Sequence, residues 1–283
     1  MLQDSTGQLS SLDSADCAAH YEKSCVDFAV EAKPAGAGRG KGLHAKTLFS
    51  RGDTLFSELP LASLQSADNK AVVAACAHCH RGVGSLTTNL RLIAGRCTRV
   101  DAFSSPELGN KIPQEEVVKG HFCDDVVLCQ LGCGEVYCSS ECCAEAFRRG
   151  HRLLCVGPLT VESALYKFKI AALETGSEEF FLGAQIVAQV ICEAQQLAGD
   201  GNPVAATHVQ QALQPIQVFE APLPWWEVVA VPAEEQRDSK GFRALLCEQA
   251  RQCWSLLLEG LEATHGIRQG TYGTSCAACC WKA

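Results

Sequence analysis

Four short Cys/His pairs stand along the middle of the chain: Cys76-x2-Cys79, Cys129-x3-Cys133, Cys138-x3-Cys142 and His151-x3-Cys155. Zinc takes four soft or borderline donors in a tetrahedron at about 2.0–2.3 Å. Two donors a few residues apart can bend round one ion from a single turn, so four pairs suffice for two ions. On a helix His151 and Cys155 share one face, and Ser139-Ser140-Glu141 reads as a helix start that places Cys142 one turn in. Cys123, Cys143 and His121 lie close enough to substitute for individual ligands. The stretch 129–155 is too short to bury a core of its own. Bound zinc would supply its folding free energy, on the order of 10–16 kcal/mol per site. Scattered buried thiols are the alternative, and they would not fall into spaced pairs in this order.

Composition agrees with metal rather than disulfide. The chain has 283 residues, 18 of them cysteine, with 47% hydrophobic and 20% charged residues. That suits one or two domains with a real core. No run approaches the ~18 apolar residues that span a bilayer, and the polar start MLQDSTGQLSSLDSADC lacks the apolar core of a signal peptide. No membrane association is therefore expected, and the expected location is cytoplasmic or nuclear, where thiols stay reduced. A secreted disulfide scaffold is the disfavoured alternative. The formal net charge of -8 and the lack of a long basic run argue against direct nucleic-acid binding. An acidic surface favours basic partners such as lysine-rich protein tails.

The elements that would position the ligands can be read coarsely. Residues 1–23 form a polar leader. Between Ser24 and Glu58 the chain reads as short strands. Val26, Phe28 and Val30 alternate with Cys25, Asp27 and Ala29, the period of a half-buried strand. LHAKTLF and DTLFSE flank the turn Ser50-Arg51-Gly52-Asp53 as a hairpin-like pair, and Pro60 closes the region. Residues 81–120 show no periodicity and read as a loop insertion between ligands. After Pro158 the pattern becomes helical. Phe180, Ala184, Val187, Ile191 and Ala194 share one face, ended by Gly199 and Gly201. A second helix spans Phe242 to Thr264, with Ser239 as its N-cap and Gly266 past its end. Trp225 and Trp226 lie in the connection. Core packing accounts for these apolar positions, and no internal repeat is present.

Gly36-Ala-Gly38-Arg-Gly40-Lys41-Gly42 is a second chemically suggestive stretch. A P-loop needs Ser or Thr after the lysine to reach magnesium, and Gly42 stands there. A dinucleotide-type loop must open a helix after a strand, whereas LHAKTLFSRGDTLF is turn-broken and strand-like. A plain tight turn remains the bland explanation.

The run Cys129-Gln-Leu-Gly-Cys133-Gly-Glu-Val-Tyr137-Cys138-Ser-Ser-Glu-Cys142, followed by His151-Arg-Leu-Leu-Cys155, resembles a MYND zinc finger. Tyr137 to Cys142 is its most specific part. The second pair is Cys-x3-Cys where the family's usual spacing is Cys-x2-Cys. The resemblance implies interleaved sites, with Cys76, Cys79, Cys138 and Cys142 on one zinc and Cys129, Cys133, His151 and Cys155 on the other. Gly40-Lys41-Gly42-Leu43-His44-Ala45, then Arg51-Gly52-Asp53 to Pro60, is similar to the opening of a SET domain. There a Gly-x-Gly backbone approaches S-adenosylmethionine, which implies Gly40, Lys41 and Gly42 as cofactor-binding residues. A MYND finger set straight after such strands, with helices following, resembles the SET-and-MYND family of protein-lysine methyltransferases.

The fold class this implies is α+β. A small β-rich split SET portion (24–75) carries an inserted two-zinc MYND finger (76–155), and an α-helical insert region with a tail follows (156–283). The implied function is S-adenosylmethionine-dependent protein-lysine methylation by a monomer. The implied partners are a lysine-rich protein tail, histones among them, or a proline-containing peptide. Family members complete the cofactor pocket with an Asn-His-Ser-Cys segment and line the lysine channel with a later tyrosine. Here no Asn is followed by His. Tyr272 is the only tyrosine past Tyr166, and the Cys276-Cys279-Cys280 tail has other spacing. No catalytic residue is therefore assigned, and the expectation is a truncated form without turnover by itself. The alternative is a non-catalytic zinc-finger interaction adaptor.

Overall fold

The computed structural model describes residues 21–35, 41–104, 122–123, 126–217 and 223–267. The architecture is mixed and helix-rich, with a few short strands, which is an α+β fold in coarse terms.

Strand β1 (Val30–Pro34) pairs antiparallel with β2 (Lys41–Ala45), Val30 opposite Ala45 and Pro34 opposite Lys41. The strand expected from the 25–30 alternation starts only at Val30. Residues before it turn, with the Cys25 N–H donating to the Tyr21 carbonyl at 3.0 Å and the Phe28 N–H to the Cys25 carbonyl at 3.1 Å. Val26 is 68% exposed while Val30 is buried, so only the last alternating position has a buried seat to define a face. The Ser50–Asp53 turn forms: the Asp53 N–H donates to the Ser50 carbonyl at 3.1 Å and the Ser50 N–H to Asp53 Oδ2 at 2.6 Å. The hairpin expected across it does not. The partner of β2 is β1, and residues 54–58 form no strand. Leu48 and Leu55 are both exposed, so no buried face holds a strand there.

The region expected as a structureless insertion is built. After α1 (Ala67–Val72) come β3 (Gly82–Val83), α2 (Leu86–Ile93) and α3 (Arg99–Ser104). Ser85 caps α2, its hydroxyl accepting from the Thr88 N–H at 3.1 Å. Two residues of α2 are buried, Leu92 and Asn89. Leu86, Leu90 and Ile93 fall at helical spacing, but Leu90 and Ile93 are exposed, so the apolar stripe is not the buried face. Asn89 is fully employed: its Oδ1 accepts from the Ala74 N–H at 3.0 Å, and its Nδ2 donates to the carbonyls of Val83 at 2.9 Å and Ser85 at 3.2 Å. The chain continues through β4 (Phe122–Cys123), parallel to β3, and the antiparallel pair β5 (Val127–Leu128) and β6 (Val136–Tyr137). Helix α4 (Ser140–Ala146) follows.

The helical layer comprises α5 (Ala164–Glu174), α6 (Glu179–Ala198), α7 (Ala206–Gln217) and α8 (Ser239–His265). Helix α6 buries Phe180, Ala184, Val187, Ile191 and Ala194, as its periodicity predicts, and stops at Gly199. The N-cap of α8 is Asp238 rather than Ser239. Its carboxylate accepts from the Gly241 N–H at 2.9 Å, and Gly266 caps the other end. The Trp225 ring stands edge-on to Phe180 with centroids 6.2 Å apart. Arg243 donates to the carbonyls of Trp226 at 2.6 Å and Val229 at 3.1 Å, tying the tryptophan turn to α8.

One linker joins the cysteine-rich region to this layer. Phe147–His151 forms a widened turn, then Arg152–Leu154 a single helical turn, and Cys155 is extended. His151, helical at φ −54° and ψ −36°, leads directly into that turn, and Cys155 is its extended C-cap. The helical path breaks one residue earlier, at Gly150, whose φ of 120° is open to glycine and strained for other residues. Leu153, 1% exposed, enters the core formed with α5, α6 and α8.

Candidate metal centres

Each of the four pairs has its own local support. The Cys76–Cys79 turn closes through the His80 N–H, which donates to the Cys76 carbonyl at 3.0 Å. It is laid against β6 by the Ala77 N–H donating to the Val136 carbonyl at 2.8 Å. Cys129 and Cys133 sit in the connection between β5 and β6, where the Cys129 N–H donates to the Glu135 carbonyl at 2.9 Å. Cys138 follows β6 directly. Cys142 lies in the first turn of α4, where its N–H donates to the hydroxyl of the N-cap Ser139 at 3.2 Å. His151 and Cys155 flank the single turn Arg152–Leu154.

These supports gather the residues into two groups of four: Cys76, Cys79, Cys138 and Cys142, and Cys129, Cys133, His151 and Cys155. Within each group the donor atoms lie within 4.8 Å of one another. This is the interleaved pairing that the finger resemblance implies.

The spacing fits zinc. A tetrahedron with bonds of about 2.3 Å to sulfur and 2.05 Å to nitrogen has S···S edges near 3.8 Å and S···N edges near 3.5 Å. In the first group Cys79 Sγ and Cys138 Sγ are 3.5 Å apart, and Cys138 and Cys142 are 3.4 Å apart. In the second, Cys129 and Cys155 are 3.8 Å apart, and His151 Nε2 lies 3.3 Å from Cys129 Sγ and 3.6 Å from Cys133 Sγ. Cys143 is buried but stands in neither group. His121 lies outside the described residues, as does the side chain of Cys123.

The electrostatics point the same way. Without a cation, thiols this close suppress one another's ionisation. Hydrogen bonding with Cys155, then burial, pushes the Cys133 thiol up to about 12. Burial, reinforced by Cys142, also raises Cys138. One thiol per group moves the other way. At Cys76, burial acts upward, but the backbone N–H groups of Cys79, Cys138 and His78 overcome it and hold the thiol below its ordinary value. At Cys155 the hydrogen bond from Cys133 lowers the value against burial. A divalent cation is the charge that lets all these sulfurs ionise together.

A buried ion cluster braces the base of the sites. Burial would raise the Glu135 carboxyl, but the Lys70 ammonium, bonded to Oε1, and the Arg99 guanidinium hold it below the usual range. Composition and spacing give no sign of this cluster, because its three members are far apart in sequence.

The glycine stretch is placed differently. Lys41 and Gly42 open β2, facing Pro34 and Lys33 of β1. A Cβ on Gly42 would stand 3.2 Å from the Ala35 Cβ, so a close strand approach is reason enough for glycine there. Gly40 lies outside the described residues, with Tyr272 and the Cys276-Cys279-Cys280 tail. A cleft of about 560 Å³ opens between the cysteine-rich region and the helical layer, lined by His78, Glu135, Tyr137, Phe168 and Phe181 among others. Gly42 is not among its lining residues, and Gly42 alone does not form a seat for S-adenosylmethionine. No helix among the described residues is long and apolar enough to cross a membrane.

No family model matches the chain, and no solved structure matches it significantly. It is similar to curated proteins. The protein-lysine N-trimethyltransferase SMYD5 of Danio rerio is 34% identical over 140 residues, covering 47% of this chain and 31% of that protein. SMYD5 of Homo sapiens is 32% identical over 130 residues, covering 46% and 28%. The histone-lysine N-methyltransferase ATXR2 of Arabidopsis thaliana is 24% identical over 267 residues, covering 77% and 55%. The match thus spans less than a third of the SMYD5 proteins' length. By these likenesses, together with the two Cys/His groups, the chain is similar to protein-lysine methyltransferases of the SET-and-MYND type.

Proposed function

We propose that residues 76–155 are a MYND-type finger holding two zinc ions, with Cys76, Cys79, Cys138 and Cys142 on one and Cys129, Cys133, His151 and Cys155 on the other. In this reading 24–75 opens a split SET domain, 156–283 includes its helical insert, and the whole serves protein-lysine methylation, with histone tails as the substrate class. The observation that carries it is the convergence of the eight predicted ligands into two closed foursomes. Each ion would have four protein donors and no open position, the arrangement of structural rather than catalytic zinc. Zinc here supplies folding free energy, and this chain's residues orient the strands and helices around it.

S-adenosylmethionine is the methyl donor that the resemblance implies, with Gly40, Lys41 and Gly42 proposed to approach it. Because the sequence lacks an Asn-His-Ser-Cys segment, the chain by itself is expected to bind zinc and transfer no methyl group. Incubation with radiolabelled S-adenosylmethionine and histone-tail peptides, alongside zinc analysis, tests both parts. Transfer above background would overturn the inactive reading. Capture of a proline-containing peptide without transfer would favour an adaptor instead.

A further inference from the structure

We infer that the two metal sites do different mechanical work. The Cys129–Cys133–His151–Cys155 site pins the helical layer to the finger, whereas the Cys76–Cys79–Cys138–Cys142 site can empty while that layer stays in place. This rests on the zinc reading above.

The second site is built into the contact with the layer. Its ligands His151 and Cys155 bracket Arg152–Leu154, a turn that packs against α6 and α8. Gly150 abuts α6 with no room for a side chain, since a Cβ would lie 2.7 Å from the Ala188 Cβ. Arg149 donates to Gln189 Oε1 at 3.4 Å and to the Leu61 carbonyl at 2.8 Å, and Arg152 to Gln195 Oε1 at 2.5 Å. On the other side the Leu153 carbonyl meets His265 Nε2 of α8 at 3.1 Å. The linker is therefore gripped by α6 and α8 on one face and by the metal ligands on the other. Releasing the ion frees one face of a chain segment that cannot hold its shape from the remaining contacts alone.

The first site is set apart from that grip. The buried cluster around it comprises Ala74, Val83, Leu92, Val136, Tyr137 and Cys143 and reaches Cys129 and Cys155 of the second site, but none of its buried residues comes from α5 to α8. Between Cys142 and the helical layer the backbone breaks at Gly150. The sites also differ in access: Cys79 is exposed, whereas no ligand of the second site is fully exposed. A chelator reaches the first ion sooner. Each ion passes to the chelator and its thiolates take up protons from solvent.

The test titrates a chelator into the full chain while native mass spectrometry counts zinc and hydrogen exchange follows peptides of Glu179–Ala198. The expected result is unchanged protection of that helix on going from two ions to one, then a rise in exchange of roughly tenfold or more on going to none. The variants Cys142→Ser and Cys133→Ser fix the assignment. Each should retain one zinc, with helix protection kept in the first and lost in the second. Equal responses to either loss, or protection that survives loss of the second-site ion, would overturn the inference. If Cys133→Ser fails to fold, the wild-type titration alone decides. A wild-type chain without zinc would instead sink the zinc reading, a distinct outcome.

Discussion

Gly150 and Ala188 are packed so tightly that a Cβ on the glycine would come within 2.7 Å of the alanine Cβ and 3.2 Å of the Gln189 nitrogen. The same glycine has a φ of 120° and precedes a proposed zinc ligand.

Gly150→Ala therefore meets two penalties, backbone strain and overpacking, which together should cost about 2–4 kcal/mol. The check is the urea midpoint of the zinc-loaded chain. An unshifted midpoint would mean that the linker does not bear on α6 as described.

Asn89 supports the first ligand turn from below. Asn89→Leu would leave the Ala74 N–H and the Val83 carbonyl buried without their side-chain partner, at a cost of about 2–4 kcal/mol. Cys76 and Cys79 lie in the chain between those two residues, so zinc at the first site should also weaken. Competition against a chromophoric chelator measures this, and wild-type affinity would contradict it.

His265 gives the fold a pH dependence. Burial lowers its pKa below the ordinary 6.5, against the raising effect of the hydrogen bond to Leu153, with Arg152 lowering it further. The unfolded chain thus takes up this proton at higher pH than the folded chain. Stability is complete above about 6.5 and declines as pH falls from there through the folded-state pKa. His265 is only partly covered, so the effect is modest. Comparing urea midpoints at pH 7.5 and 5.5 for wild type and His265→Gln should show a smaller drop in the variant. Equal drops would assign the pH effect to other groups.

The ligand turns and the longest helices were legible for physical reasons. Metal donors must come from close pairs, so Cys76–Cys79 or Cys138–Cys142 announces itself locally. Helix α6 carries its whole inward face as apolar residues at helical spacing. Helix α2 was legible in principle from Leu86, Leu90 and Ile93 at helical spacing; what the pattern does not show is that Leu90 and Ile93 stay exposed while Asn89 is buried and bonded to Ala74 and Val83. Helix α7 was not read from the sequence; its Pro215, a residue disfavoured in helix interiors, stands in the last turn. The strand expected over 25–30 failed because alternation over so few residues defines a face only when something covers it, and Val26 is left exposed. The Glu135 cluster depends on Lys70 and Arg99 approaching from separate segments, a fact of packing alone.

If two metal ions hold the cysteine-rich region together, counting zinc on the full chain will show it. Native mass spectrometry of protein purified without chelator should find two zinc ions per chain, falling to one in Cys138→Ser. A wild-type chain with no bound zinc, or a variant that keeps both ions, would contradict the account.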